Sequence, residues 1–376
     1  MKIAIVANST WNIYNFRLNI LRALENQGAE LVVIAPIDKY IFYLNEFSNI
    51  RHIPLKMLSR KSVNPYYDLR LLHEMYSIYK REKPDIVLHY TIKPNIYGNL
   101  AARFCNIPSI CAVTGLGYAF LHNGWVHKIS TWLYRFSFSS AKKVIFENED
   151  DKNYFTEEKI TKIEQNVAVN GCGIDTDYYR ENSSVFPTKN KTIFTFIGRF
   201  LYDKGIEEFV EAAKIIKQKR RDVEFWLVGE IDEQNPATIS SDLLLEWVNQ
   251  RVVVDYGPAS DVRVPMGKSN CIVLPSYREG TSRVLLEAAS MGKPIITTNV
   301  PGCRNVVENG ENGLLCEVAN TAALVQSIEQ FLALPSKKVE KMGFLGRKKA
   351  EEVFNINLIS QDVLKIINEV LAAAQQ

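Results

Sequence analysis

Short apolar runs alternate with longer segments of helical periodicity from one end of the chain to the other. In the first half, Ile3–Ala7, Leu31–Ala35, Ile86–Leu88, Ser109–Val113 and Val144–Phe146 predict strands, and Phe16–Asn26, Asp68–Glu82 and Ile96–Cys105 predict helices. The second half restarts with strand Thr192–Ile197, helix Glu207–Gln218 and strands Glu224–Val228, Val252–Tyr256, Cys271–Leu274 and Pro294–Thr298. Runs that are apolar throughout belong to parallel sheets buried on both faces, the product of repeated βα units. Two such sets, parted by the polar stretch 180–190, predict an α/β protein of two Rossmann-like, doubly wound domains facing a central cleft. The expected boundaries are 1–168 and 169–355, followed by a last helix within 356–376.

Composition adds limits. Hydrophobic residues make up 47% of the 376 and charged ones 23%, ordinary values for a globular protein with sizeable cores. No apolar run approaches the roughly 18 residues that span a bilayer. Met1–Ala7 reads as a first buried strand rather than a leader peptide, so a cytoplasmic protein is expected. The six Cys are scattered without a C-x-x-C pair, which argues against a zinc site or a disulfide framework. Residues 1–170 carry a balance of +6 and the rest −3. A basic first half suits phosphates or a membrane surface; no base-reading motif accompanies it, so nucleic acid is not an expected partner.

The densest chemistry lies in Ser276-Tyr277-Arg278-Glu279-Gly280-Thr281-Ser282-Arg283-Val284-Leu285-Leu286-Glu287, where an apolar strand turns into a helix. Backbone N–H groups at such a helix start favour an anion. Glu279 in the turn suits sugar hydroxyls, and Glu287, roughly 12 Å further along the rise, can grip another part of one extended ligand. Earlier, strand 192–197 ends in Gly198, which allows close backbone approach. Arg199 then supplies a fork for phosphate, and Lys204 a point charge before the next helix. Either cation alone reads as an ordinary surface charge; the set with two carboxylates does not.

These segments resemble the Glu-x7-Glu and G-R-x4-K-G motifs of the retaining family 4 glycosyltransferases, which have the GT-B fold. The resemblance covers nearly the whole chain. It implies that Arg199 and Lys204 meet the donor diphosphate and Glu279 the donor sugar, the three forming the catalytic set. Glu287 would hold ribose hydroxyls, Gly198, Gly280 and Thr281 would offer backbone to the ligand, and Gly229, Glu230 and Gly257–Asp261 would line the nucleotide pocket. The last helix, Leu358–Ala374, would pack back on the first domain. Asn305 stands where many relatives carry Glu. Asp175-Thr-Asp177 matches the metal-binding D-x-D of the other large glycosyltransferase fold, but reads here as a local turn. No cofactor and no required metal are expected.

For the acceptor, the loop Asn8–Arg17 follows the first strand, at the end of the sheet where ligands bind. Asn12 and Arg17 either orient an acceptor sugar and its phosphate, or Asn12 or Asn15 caps a helix with Arg17 on a solvated face. Thr114 and Gly115 stand near the position where many relatives carry a His, with His122 close by. In Gly124–Lys143, Trp125, Ile129, Trp132, Leu133 and Phe136 follow helical spacing, and packing on the sheet is favoured over a membrane interface. A basic run, Lys56-Met57-Leu58-Ser59-Arg60-Lys61, is expected to expose Met57 and Leu58 beside its charges. Ile13–Arg17 and Ser62–Pro65 resemble enzymes that transfer N-acetylgalactosamine.

The resemblance implies transfer of a hexose or N-acetylhexosamine from a UDP-sugar to an undecaprenyl-diphosphate-linked saccharide, by a peripheral protein on the inner membrane face. Three rivals stay open: a family member acting on a free sugar or sugar phosphate, a UDP-sugar epimerase, and a non-catalytic nucleotide-sugar-binding subunit.

Overall fold

The computed structural model describes residues 1–58, 64–116, 124–181, 191–233 and 235–374. His122, Arg60 and Lys61 lie outside the described residues, as do Ser62 and Val63. The chain forms two compact units, Met1–Gly173 with Ile356–Gln376, and Ile174–Asn355.

The first unit is built on strands β1 (Lys2–Val6), β2 (Glu30–Ala35), β3 (Ile50–Pro54), β4 (Ile86–Tyr90), β5 (Ser109–Val113), β6 (Lys143–Phe146) and β7 (Asn166–Ala168). All pair in parallel, in the order β3-β2-β1-β4-β5-β6-β7. Because strand side chains alternate, each run feeds two cores. Ile3, Ile5, Leu31 and Val33 pack on one face with Val363, Ile366, Ile367 and Val370 of the last helix, Ile356–Ala374. Ala4, Val6, Val32 and Ile34 pack on the other with Leu71, Met75 and Ile78 of helix Pro65–Glu82. That helix starts where Asn64 accepts the Tyr66 N–H and Pro65 takes the first position; it stops at Lys83 in the left-handed region.

Two expectations about apolar faces are corrected here. Met57 and Leu58 pack against the second core, so only Lys56 of the described part of that run is exposed. On helix Trp125–Phe138 the buried stripe is Tyr134 and Phe138, with Leu133 partly buried, packed among Phe146, Phe155 and Val144. Ile129, Trp132 and Phe136 are 49, 60 and 49% exposed, and the last two rings stack 5.7 Å apart. The faces differ because Tyr134, Ser137 and Phe138, one or two positions beyond most of the predicted stripe, are the residues buried here.

The second unit carries β8 (Thr192–Ile197), β9 (Val223–Val228), β10 (Val254–Gly257), β11 (Cys271–Leu274), β12 (Ile295–Thr298) and β13 (Gly313–Cys316), all parallel in the order β10-β9-β8-β11-β12-β13. Phe194 stacks on Phe225, and both meet further rings, Phe194 that of Phe331 and Phe225 that of Phe209, in its core. In both sheets strand order reverses beside the first strand, between β1 and β4 and between β8 and β11. Such switch points open a crevice at the carboxyl ends of the strands.

Candidate active site

At the switch point of the second unit, the segment after β8 and the turn after β11 are laced together. The Tyr277 N–H donates to Asp203 O at 2.9 Å, and the Ser276 hydroxyl oxygen lies 3.3 Å from the same carbonyl. This brings Lys204, on the turn Tyr202–Lys204, onto the Glu279 carboxylate as an ion pair, while the Ser276 hydroxyl donates to Glu279 Oε1 at 2.8 Å. Glu279 thus sits fixed in its turn with one hydroxyl and one ammonium on a single oxygen.

The turn itself is held from behind. The Glu279 N–H donates to Pro301 O at 3.2 Å and the Ser282 N–H to Gly302 O at 3.3 Å. Gly302 has a φ of +79°, and a Cβ there would lie 2.5 Å from Glu279 O. Only glycine fits that approach. Asn305 Oδ1 accepts the Gly302 N–H at 2.8 Å, so the side chain that departs from the family pattern supports the turn. Gly280 and Thr281 are buried behind Glu279.

Glu287 lies about one turn into helix Arg283–Ser290 and is 6% exposed. Arg283 Nε donates to its Oε1 at 3.0 Å. Burial pushes this carboxyl above the usual range, against the pull of Arg283 and of a hydrogen bond from Tyr179. Arg199 stands about half exposed after Gly198 and pairs with Asp232 at 2.9 Å. Gly229 follows β9 in direct approach to Gly198. In the loop after β10, Asp261 holds Arg263, whose guanidinium lies 3.8 Å from the Tyr178 ring. Asp175 accepts the backbone N–H groups of Asp177 and Tyr178, at 3.0 and 2.9 Å, which makes it a local turn residue.

The acceptor candidates lie in the first unit. The helix after β1, Thr10–Phe16, is capped by Ser9, whose Oγ accepts the Asn12 N–H at 3.1 Å; neither Asn12 nor Asn15 caps it. Asn12 is buried, with Oδ1 unpartnered among the described residues. Arg17 is buried rather than solvated: it lies 3.7 Å from Glu147 and its guanidinium 4.0 Å from the Tyr90 ring. Burial pushes the Glu147 carboxyl up to about 7, against the pull of Arg17. Thr114 and Gly115 are half-buried after β5.

The structure therefore gathers Arg199, Lys204, Glu279 and Glu287 in the second unit and keeps Asn12, Arg17, Thr114 and Gly115 in the first. Sequence reasoning missed Asp232, Tyr179, Arg283 and Glu147. Arg283 carried a signal, an i,i+4 relation to Glu287; the others come from distant parts of the chain.

Residues 16–178 match the family described as Glycosyltransferase Family 4, and residues 180–349 match Glycosyl transferases group 1. The chain is 30% identical, over 99% of both chains, to an N,N'-diacetylbacillosaminyl-diphospho-undecaprenol alpha-1,3-N-acetylgalactosaminyltransferase of Campylobacter jejuni. It is 26% identical, over 79% of its length and 78% of the other's, to a UDP-Gal:alpha-D-GlcNAc-diphosphoundecaprenol alpha-1,3-galactosyltransferase of Escherichia coli. Its fold matches that of Anabaena HepE in complex with UDP-glucose, with a TM-score of 0.79 at 17% identity over 98% of this chain and 100% of the other. Two doubly wound units, the second with a basic and acidic switch-point site, are those of a GT-B glycosyltransferase. The chain belongs to the family 4 glycosyltransferases.

Proposed function

We propose that this enzyme moves a hexose or N-acetylhexosamine, such as N-acetylgalactosamine, from a UDP-sugar to a saccharide carried on a lipid diphosphate, with retention at the anomeric carbon. The observation that carries the reading is the second unit's switch point, where Lys204, on the segment after β8 that also bears Arg199, is joined to Glu279 just before a helix start. The relatives' named substrates support the lipid-linked acceptor.

In this reading Arg199 and Lys204 stabilise the departing diphosphate, the largest contribution expected from the protein. Glu279 orients the sugar, and Glu287, held by Arg283 and Tyr179, meets the ribose. Asn12 and Arg17 act on the acceptor side, Arg17 by shaping the loop through Glu147 rather than by reaching a phosphate. With no carboxylate assigned to double displacement, the acceptor hydroxyl attacks on the face the diphosphate leaves, and the departing phosphate oxygen takes its proton. No divalent metal is needed, so activity should survive chelation by EDTA.

Among the described residues no helix is long and apolar enough to cross a membrane. The exposed Ile129, Trp132 and Phe136, beside Lys128 on a helix without acidic residues, suit a peripheral hold on the cytoplasmic face of an anionic bilayer.

Saturation-transfer NMR with UDP-, GDP- and ADP-sugars tests the donor assignment. Binding of the uridine class, weakened in Arg199→Ala and Glu279→Ala, is the expected outcome. Turnover of the donor without acceptor would indicate an epimerase, and binding with no turnover on any acceptor a non-catalytic subunit.

A further inference from the structure

Arg199 is the half of the diphosphate grip that Glu279 does not hold, and its surroundings are built rather than incidental. The chain after β9 runs back along the segment that bears Arg199. The Phe200 N–H donates to Glu230 O at 3.0 Å, the Tyr202 N–H to Ala237 O at 2.8 Å, and the Ile239 N–H to Phe200 O at 3.1 Å. The Thr238 hydroxyl donates to that same Phe200 carbonyl at 3.1 Å. The Asn235 N–H closes a turn on Asp232 O at 2.7 Å, and Asn235 Oδ1 accepts the Ala237 N–H at 3.0 Å. At the root, a Cβ on Gly229 would meet Gly198 O at 1.9 Å, so the two strand ends touch backbone to backbone.

Both ends of the Arg199–Asp232 pair are therefore fixed by main-chain bonds. An exposed ion pair between two free side chains contributes almost nothing, because ordering them costs what the attraction gains. Here much of that ordering is supplied by the fold. The stereochemistry of the contact also matters. Asp232 Oδ2 accepts from Nη1 alone, at 2.9 Å, and Arg199 Nε and Nη2 bond to nothing among the described residues. The Nε–Nη2 edge is one of the two that make a parallel pair of hydrogen bonds to a phosphate.

We infer that Asp232 is a positioning residue for the donor diphosphate: it clamps one edge of the Arg199 guanidinium and leaves the other edge aimed and free for the phosphate fork. Asp232 itself touches no reacting atom. The inference rests on the proposed use of Arg199 for a nucleoside diphosphate, and it accounts for an acid kept beside an anion site, where repulsion alone would disfavour one.

Calorimetric titration with UDP and with UMP tests it on the full chain. Asp232→Asn is expected to weaken UDP by about tenfold, the scale of one charge-assisted hydrogen bond, and to leave UMP unchanged. Asp232→Glu should recover most of the loss. In an Arg199→Ala background, Asp232→Asn should cost nothing further, since its only route to the ligand has gone. UDP binding by Asp232→Asn equal to or tighter than wild type would overturn the inference, making the acid a bystander or a competitor. Equal weakening of UMP, or a further loss on top of Arg199→Ala, would overturn it too, by tracing the effect to the pocket's fold. A wild-type protein that binds no UDP contradicts the donor reading itself, an outcome separate from a variant that behaves like wild type.

Discussion

Lys204 and Glu279 are 75 residues apart in sequence and share one ion pair. In the proposed reading each offers its charge to the donor, and in the structure each is held in place by the other. The four residues proposed for the donor could be singled out in sequence because each lies in a strand–turn–helix segment whose residues are contiguous. Asp232, Tyr179 and Glu147 were not, because nothing local marks a partner that arrives from another strand end. Burial also overrides what a residue type suggests. Arg17 reads in sequence as either a phosphate partner or a charge on a solvated helix face, yet it is buried and paired with Glu147 over the Tyr90 ring. His89 is a second case: fully buried, with Nε2 2.9 Å from Tyr79 Oη, and held by burial down to about 3. The unfolded chain takes up a proton at this residue near 6.5 and the folded one refuses it, so unfolding binds a proton between those values. Stability should then fall as pH drops from 6.5 towards 3, by about 1.4 kcal/mol per unit from this group. Urea midpoints measured against pH check it: His89→Gln should flatten the slope, and an unchanged slope would contradict the assignment.

Elements show why some of the fold was readable and some was not. Strands that are buried on both faces, such as β5, β8 and β11, stand out as apolar runs and match their predicted spans. β3, β7 and β13 were missed: they are short edge or near-edge strands, and β3 and β7 are only half-buried, so their composition carries little signal. Periodicity identified helix Trp125–Phe138 but could not say which face turned outward. That outward face carries the membrane claim. Trp132→Ser with Phe136→Ser is expected to cut sedimentation with phosphatidylglycerol vesicles by at least about tenfold, given the apolar area removed. Transfer to a short-chain, water-soluble acceptor should be unaffected, and undiminished vesicle binding would move the membrane contact elsewhere. The turn at Gly302 makes a different demand. Gly302→Ala forces a Cβ against Glu279 O and should lower stability by about 1–3 kcal/mol while displacing Glu279. Its thermal midpoint and its activity should fall together.

On the scale of the whole molecule, the chain leaves its first unit at Gly173 and returns to it at Ile356. The last helix is thus part of the first unit's core, separated in sequence from the rest of it by the entire second unit. Ile359, Val363, Ile366, Ile367 and Val370 are all at most 5% exposed. At roughly 1.5–3 kcal/mol each, their burial is comparable to a typical domain stability of about 5–15 kcal/mol. A chain ending at Asn355 should therefore lose hydrogen-exchange protection throughout 1–173 and keep it across 174–355; protection retained in both would contradict this. The organisation also places the donor candidates in one unit and the acceptor candidates in the other. The measurement that bears most directly on that account is transfer itself, from UDP-N-acetylgalactosamine and other UDP-sugars to a saccharide on a lipid diphosphate, with the product's anomeric configuration read by NMR. UDP release matched by an α-linked product, lost in Glu279→Ala and Arg199→Ala and insensitive to EDTA, is the expected result. A β-linked product, or UDP-sugar turnover with no acceptor consumed, would contradict it.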